Sequence, residues 1–262
     1  MWSINDFNKW NEKGRPIDEN VIELYISQSN IKILGNLENL VNLQNLYCGY
    51  NQLTSLEGIE NLVNLKILNC RNNQLTSLEG IENLVNLTYL YCSNNEITLL
   101  EGIENLVNLK KLCCYSNQLT SLEGIENLVN LKYLYCNDNQ LTLLEGIENL
   151  VDLEKIDCGN NQLTSLEGLE NLVDLEKLSC ANNQLTSLEG IEILIKLIKN
   201  NKQIKNNILY NFIDSNDYIK LNNSFGNLIK CYYNIIDEYI QEIEQIEQII
   251  IKLNGFQNYV LK

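Results

Sequence analysis

Apolar positions return on a fixed schedule along most of this chain. A 22-residue unit starts at Leu40, Leu62, Leu84, Leu106, Leu128, Leu150 and Leu172, and runs through Ile193. In the copy LVNLKILNCRNNQLTSLEGIEN, residues 62–83, the fixed positions include Leu65, Leu68, Cys70, Asn73 and Leu75. A looser copy precedes the seven, with Val21, Leu24, Ile26, Ile31 and Leu34 in equivalent places. The alternation Leu-x-Cys predicts a short strand with one face inward, and identical units are expected to stack such strands in parallel, about 4.8 Å apart. One unit cannot bury its own apolar face. The core is therefore continuous only across neighbours, and the end units need lids.

Three further columns follow the same period. Cys48, Cys70, Cys92, Cys114, Cys136, Cys158 and Cys180 lie 22 residues apart, leaving Cys113 and Cys231 outside the register. They are expected to be reduced core residues, since free cysteine is among the most buried residue types and parallel strands point such thiols the same way. Zinc is a poor fit: the chain has no histidine and no CxxC-type cluster. Asn51 and its six equivalents, through Asn183, form a column whose amides are placed to satisfy backbone groups at the bend after each strand. Gly58 and its equivalents, through Gly190, mark a turn with unusual backbone angles.

The two ends differ from the middle. Ser3 and Asp6 suggest a capping box, and Ile4, Phe7 and Trp10 share one helical face before Gly14. Residues 1–17 are thus expected to form an N-terminal helical lid; binding through Trp2 or Trp10 is the alternative. No basic start with an apolar run follows Met1, so a secretory signal is not expected. After residues 18–193, the seat of the repeats, the register fails at Asn200. Lys196, Lys199, Lys202 and Lys205 lie among isoleucines, and residues 194–262 are expected to form an α-helical C-terminal cap. Within it Ile229, Tyr232, Ile236, Tyr239, Ile243, Ile246, Ile250 and Leu253 follow an alternating three-and-four spacing. That seam either closes the solenoid or pairs two copies into a homodimer through residues 229–253. It is too short and too charged for a membrane span.

Charge narrows the partners. With a net charge of −15 over 262 residues, the chain would repel nucleic acid unless a local basic stripe prevailed. Much of the excess comes from two glutamates per repeat, from Glu57 and Glu60 to Glu189 and Glu192. A solvated face is the simpler account of those columns, a cation-binding ladder the sharper one. Catalysis has little support: Cys231 is the one candidate nucleophile near the C-terminus, and without histidine the usual activation is missing. No cofactor is expected.

Positions flanking the inward Leu and Cys vary most between copies, and their side chains must leave the sheet on its outer, concave side. They include Tyr25, Tyr47, Tyr89, Tyr91, Tyr115, Tyr133 and Tyr135, half of the 14 tyrosines. Tyrosine is enriched at interfaces because it offers amphipathic area with few rotamers to freeze. It also has high strand propensity, so simple stacking along the sheet is the rival account. Arg71, Lys111, Lys155 and Lys177 add positive charge to this face. Tyr47, Tyr89, Tyr91, Tyr115, Tyr133 and Tyr135, with Arg71 and Lys111, are the candidate partner-binding residues.

The template L-x-x-L-x-C-x-x-N-x-L matches the leucine-rich-repeat pattern. With its 22-residue period and LTSLEGIENLVNL segment, the chain resembles the short repeats of phosphatase regulatory subunits and bacterial internalins. Its His-free, Asn-, Ile- and Tyr-rich wording is also similar to repeat proteins of giant DNA viruses. The resemblance implies an α/β fold, a right-handed curved solenoid with a parallel concave β-sheet. It also implies a non-catalytic interaction module that binds a protein on that sheet; from charge and segment length, neither nucleic acid nor membrane is expected as a partner. The alternative is a scaffold that dimerises through the C-terminal heptads. An intracellular, cytoplasmic setting is expected, in host cytoplasm if the protein is viral.

Overall fold

The computed structural model describes residues 1–185. The expected C-terminal cap, the heptad seam at 229–253, Cys231, Gly190, Glu189 and Glu192 lie outside the described residues. Helix α1 (Ile4–Glu12) opens the chain, followed by strands β1 (Glu23–Tyr25), β2 (Asn45–Tyr47), β3 (Ile67–Asn69) and β4 (Tyr89–Tyr91). Strands β5 (Lys111–Cys113), β6 (Tyr133–Tyr135), β7 (Lys155–Asp157) and β8 (Lys177–Ser179) complete the series. All eight pair in parallel in chain order, and each residue faces its equivalent 22 positions later, as Leu46 faces Leu68. Such register follows from near-identical units: a shift of one residue would turn every buried leucine to the outer face.

The core is one column of stacked layers from Phe7 to Leu185. Each strand contributes a central leucine or isoleucine, and the residue two places on is a cysteine in every regular repeat. The seven ladder cysteines are 0–2% exposed, and all eight described cysteines are free. No sulfur pairs with another because identical positions in parallel strands aim side by side. Cys70, Cys92 and Cys114 instead place Sγ 3.5 Å from the carbonyl oxygens of Tyr91, Cys113 and Tyr135 on the following strand.

The asparagine column does what its amide chemistry allows. Asn117 Nδ2 donates to the carbonyls of Cys92 at 3.1 Å and Cys114 at 3.0 Å, while its Oδ1 accepts from the Ile97 N–H at 3.0 Å. One side chain thus ties two successive bends, and the pattern recurs from Asn51 to Asn183. A second amide ladder crosses the outer side, where Asn64, Asn86, Asn108 and Asn130 donate to Val41, Val63, Val85 and Val107 carbonyls. Asp152 and Asp174 occupy this position in the last repeats, and an ionised carboxylate has no proton to donate there.

The glycine column takes the left-handed backbone expected of it. Gly124 has φ 95°, and a Cβ there would stand 3.0 Å from Ile103 Cγ2 of the preceding repeat. It leads into a single 3-10 turn, Ile125–Asn127. A second left-handed column, not foreseen in the sequence, follows each strand at Gln28, Tyr50, Asn72, Asn94, Ser116, Asp138, Asn160 and Asn182, with φ of 52–57°. Its asparagines tolerate that backbone; its tyrosine, glutamine and serine do so less readily.

The N-terminal lid forms as expected. The Asp6 carboxylate accepts from the Ser3 N–H at 2.9 Å and its hydroxyl at 2.7 Å, which holds its pKa below the ordinary value. Phe7 and Trp10 are 3% exposed against the first core layer. Trp2 extends the sheet: its N–H donates to the Glu23 carbonyl at 2.7 Å, and its carbonyl accepts from the Tyr25 N–H at 2.8 Å. An open sheet edge would otherwise present unpaired backbone groups. Among the described residues, no helix is long and apolar enough to cross a membrane.

Candidate functional site

Three columns of side chains leave the concave sheet, and the register sets who meets whom. In the first, Tyr89, Lys111 and Tyr133 are consecutive; in the next, Tyr91, Cys113 and Tyr135. Cys113 is small and 6% exposed, so it leaves room between the two rings beside it. The Lys111 ammonium fills that room, with Nζ 5.4 Å from the Tyr91 centroid and 5.1 Å from that of Tyr135. Lys155 Nζ lies 4.8 Å from the Tyr135 centroid. These are cation–π distances, at which the ring quadrupole attracts the ammonium. Burial raises the pKa of Tyr91 and pushes the Cys113 thiol up to about 11, so both stay protonated at neutral pH.

The candidate residues do not form one patch. Tyr25 and Tyr47 stack on each other, centroids 4.3 Å apart and planes within 8°, and Asn69 separates Tyr47 from Tyr91 along the column. Burial first, then Tyr25, pushes the Tyr47 phenol up to about 12. Arg71 turns toward Tyr50, 5.2 Å from its ring, rather than toward Lys111. Tyr115 is half-buried in the third column, and its ring takes no part in these contacts. The structure therefore brings together Tyr91, Tyr135 and Lys111, flanked by Tyr89 and Tyr133, and leaves Tyr47, Tyr115 and Arg71 apart.

Sequence reasoning missed three participants. Lys155 belongs to the cluster, although by sequence it reads only as positive charge on this face. Glu154 restrains Tyr133: the phenol donates to Oε2 at 2.7 Å while Lys132 Nζ meets Oε1 at 2.6 Å. Those two donors, Lys132 first, hold the Glu154 carboxyl below its ordinary pKa, and Glu154 in turn raises that of the Tyr133 phenol. Tyr50 is 45% exposed on a left-handed backbone beside Arg71. A signal for it exists, since the equivalent places in five other copies hold Asn or Asp.

On the convex side, one of the two glutamate columns has a local task. The carboxylates of Glu60, Glu82, Glu126 and Glu170 accept from the N–H of the glycine two residues earlier, at 2.8–3.1 Å. They brace the turn, whereas the partner column at Glu57, Glu79, Glu101, Glu123, Glu145 and Glu167 is exposed. Among the described residues no group of three acidic, Cys or His side chains is placed to hold a metal ion.

The repeat, the parallel sheet and the asparagine ladder define the class, and comparison with known proteins agrees. The family model for leucine-rich repeats in two copies matches residues 63–105, 107–150 and 151–193. The chain belongs to the leucine-rich-repeat proteins. Among solved structures it is similar to the internalin InlF of Listeria monocytogenes, with 26% identity and a TM-score of 0.65. That match covers 68% of this chain and 53% of InlF, so the chain spans about half the length of that relative. A leucine-rich-repeat protein of Leptospira interrogans is 27% identical, with a TM-score of 0.55 over 76% of this chain and 62% of that one. InlJ of Listeria monocytogenes, whose functional domain includes a cysteine ladder, is 27% identical with a TM-score of 0.52, over 65% of this chain and 42% of InlJ. No curated protein sequence matches the chain. Leucine-rich-repeat solenoids are generally protein–protein interaction modules, and such scaffolds are typically non-enzymatic.

Proposed function

We propose that this protein is a non-catalytic module that holds a protein partner on its concave sheet, centred on Tyr91, Lys111 and Tyr135. Tyr89 and Tyr133 flank that centre; Tyr47, Tyr115 and Arg71 lie farther out. One observation carries the reading: the rings and ammonium groups gather over β4–β7 instead of stacking uniformly along the sheet. Simple stacking does occur, at Tyr25 and Tyr47, and the contrast separates the two behaviours. Preorganised aromatic and cationic side chains on a concave surface supply large contact area with little rotamer entropy left to lose. Neither nucleic acid nor membrane is the proposed partner. An intracellular setting is part of the proposal.

Affinity capture from extracts of the source cells tests the reading, comparing the native chain with a variant carrying Tyr89→Ala, Tyr91→Ala, Tyr133→Ala and Tyr135→Ala. Both are first shown to share one circular dichroism spectrum and melting profile. Loss of the captured protein from the variant is expected; unchanged capture by a folded variant would move the site elsewhere.

A further inference from the structure

Between residues 40 and 185 the cations are sorted by face. Every lysine and arginine between residues 40 and 185 falls within two positions of a concave strand, from Lys66 to Lys177. The glutamates of the two repeat columns fall on the opposite, convex turns. Seven cations of the repeats thus share the concave side, which also carries the carboxylates of Glu154, Asp157 and Glu176. Lys132 is engaged by Glu154. Lys111 and Lys155 form no ion pair among the described residues, and their ammonium groups both sit against the Tyr135 ring. A ring quadrupole attracts an ammonium without neutralising it, so two like charges are held beside one ring with their positive field open to the concave side.

We infer that the concave sheet takes an acidic, extended protein segment, whose carboxylates meet Lys111 and Lys155 on either side of Tyr135. This rests on the concave-face reading above and adds the chemistry of the partner. Opposite charge across an interface speeds encounter and rejects wrong partners, since like charges in contact are costly. Here a basic segment would meet two unpaired ammonium groups, and a neutral one would leave them unanswered. Lys111 and Lys155 stand on strands two places apart in the sheet, about 9.6 Å at the usual strand spacing. In an extended polyproline II segment, with three residues per turn and about 3.1 Å per residue, residues three apart share one face and lie about 9.3 Å apart, a spacing of carboxylates that reaches both lysines.

The test uses the full chain and fluorescein-labelled peptides of equal length on a Gly-Ser background, carrying Glu, Gln or Lys at every third position. Fluorescence anisotropy should show binding of the Glu peptide only, weakening as NaCl rises from about 50 to about 500 mM. Lys111→Gln with Lys155→Gln should weaken that binding by about tenfold or more, while Lys66→Gln, outside the cluster, leaves it unchanged. Equal binding of the Gln peptide, binding of no peptide, or a double lysine variant that binds as tightly as the native chain would overturn the acidic-segment inference. In any of those cases the concave-face reading still stands if the four-tyrosine variant loses its captured protein. If the Glu peptide binds the lysine variant as it binds the native chain and the four-tyrosine variant still captures the protein, both fall.

Discussion

The cysteine ladder predicts an unusually steep loss of stability in mild alkali. Burial raises the pKa of every ladder thiol, to about 12 at Cys70 and Cys180 and well above the ordinary range at Cys48, Cys92, Cys114 and Cys158. In the unfolded chain the same groups titrate near about 8.5. Above that value the folded state holds more protons than the unfolded one, so stability falls as pH rises; below it the groups contribute no penalty. At about pH 8.5 each unfolded thiol gains about 0.4 kcal/mol by ionising, and at about pH 9.5 about 1.4 kcal/mol. For the seven ladder cysteines the totals are about 3 and about 10 kcal/mol, the latter comparable to the whole stability of a typical domain, about 5–15 kcal/mol. Urea unfolding followed by circular dichroism, with a phosphine reductant at constant ionic strength, should show the midpoint collapsing across this window. Tyrosines and lysines lose their protons mostly above it, about pH 10 and higher, so the window isolates the thiols. Cys92→Ala should reduce the slope by up to about 1.4 kcal/mol per pH unit, whatever it costs at neutral pH. A midpoint that stays flat from about pH 7.5 to 9.5, or a slope untouched by removing a ladder thiol, would refute the reasoning.

Other perturbations probe the remaining ladders. Asn117→Ala removes the acceptor of the Ile97 N–H and one of the two asparagine donors to each of the Cys92 and Cys114 carbonyls, and should cost about 1–3 kcal/mol in chemical denaturation. Gly124→Ala forces a side chain onto φ 95° and against Ile103, and should destabilise by about 1–3 kcal/mol by the same measurement. Ser116→Gly does the reverse, relieving φ 54° in the turn, and should raise the unfolding free energy by up to about 1 kcal/mol. Glu154 has a lowered pKa, so its ion pair with Lys132 and its hold on Tyr133 persist above the ordinary carboxylate range. Both are lost as pH falls through the lowered value. Side-chain carbon NMR should show that midpoint rise in Lys132→Met.

Much of the scaffold is legible in the chain's own letters, because a repeat is its own alignment. The period states which Leu, Cys, Asn and Gly share a column, and Leu24 through Leu178 duly occupy the centres of eight parallel strands. The capping box at Ser3 and Asp6 and the lid at Phe7 and Trp10 are also local signals. The second left-handed column is less legible, since Tyr50, Gln28 and Ser116 interrupt its asparagines. For the concave face, composition names the right surface but not the right grouping. Tyr47 and Arg71 carry the same credentials as Tyr91 and Lys111, yet one stacks on Tyr25 and the other turns to Tyr50.

The sequence by itself determined the unit, the stacking register and the buried columns, because one face of a short strand must be apolar and each copy repeats the demand. Only the tertiary structure decided that Cys113 leaves space between Tyr91 and Tyr135, that Lys111 fills it, and that Lys155 joins from two strands away. These choices depend on rotamers and on neighbours 22 and 44 residues apart, and no residue's own identity contains them. The periodic pattern specifies where a side chain stands; the packing of unlike side chains in adjacent copies specifies what it touches.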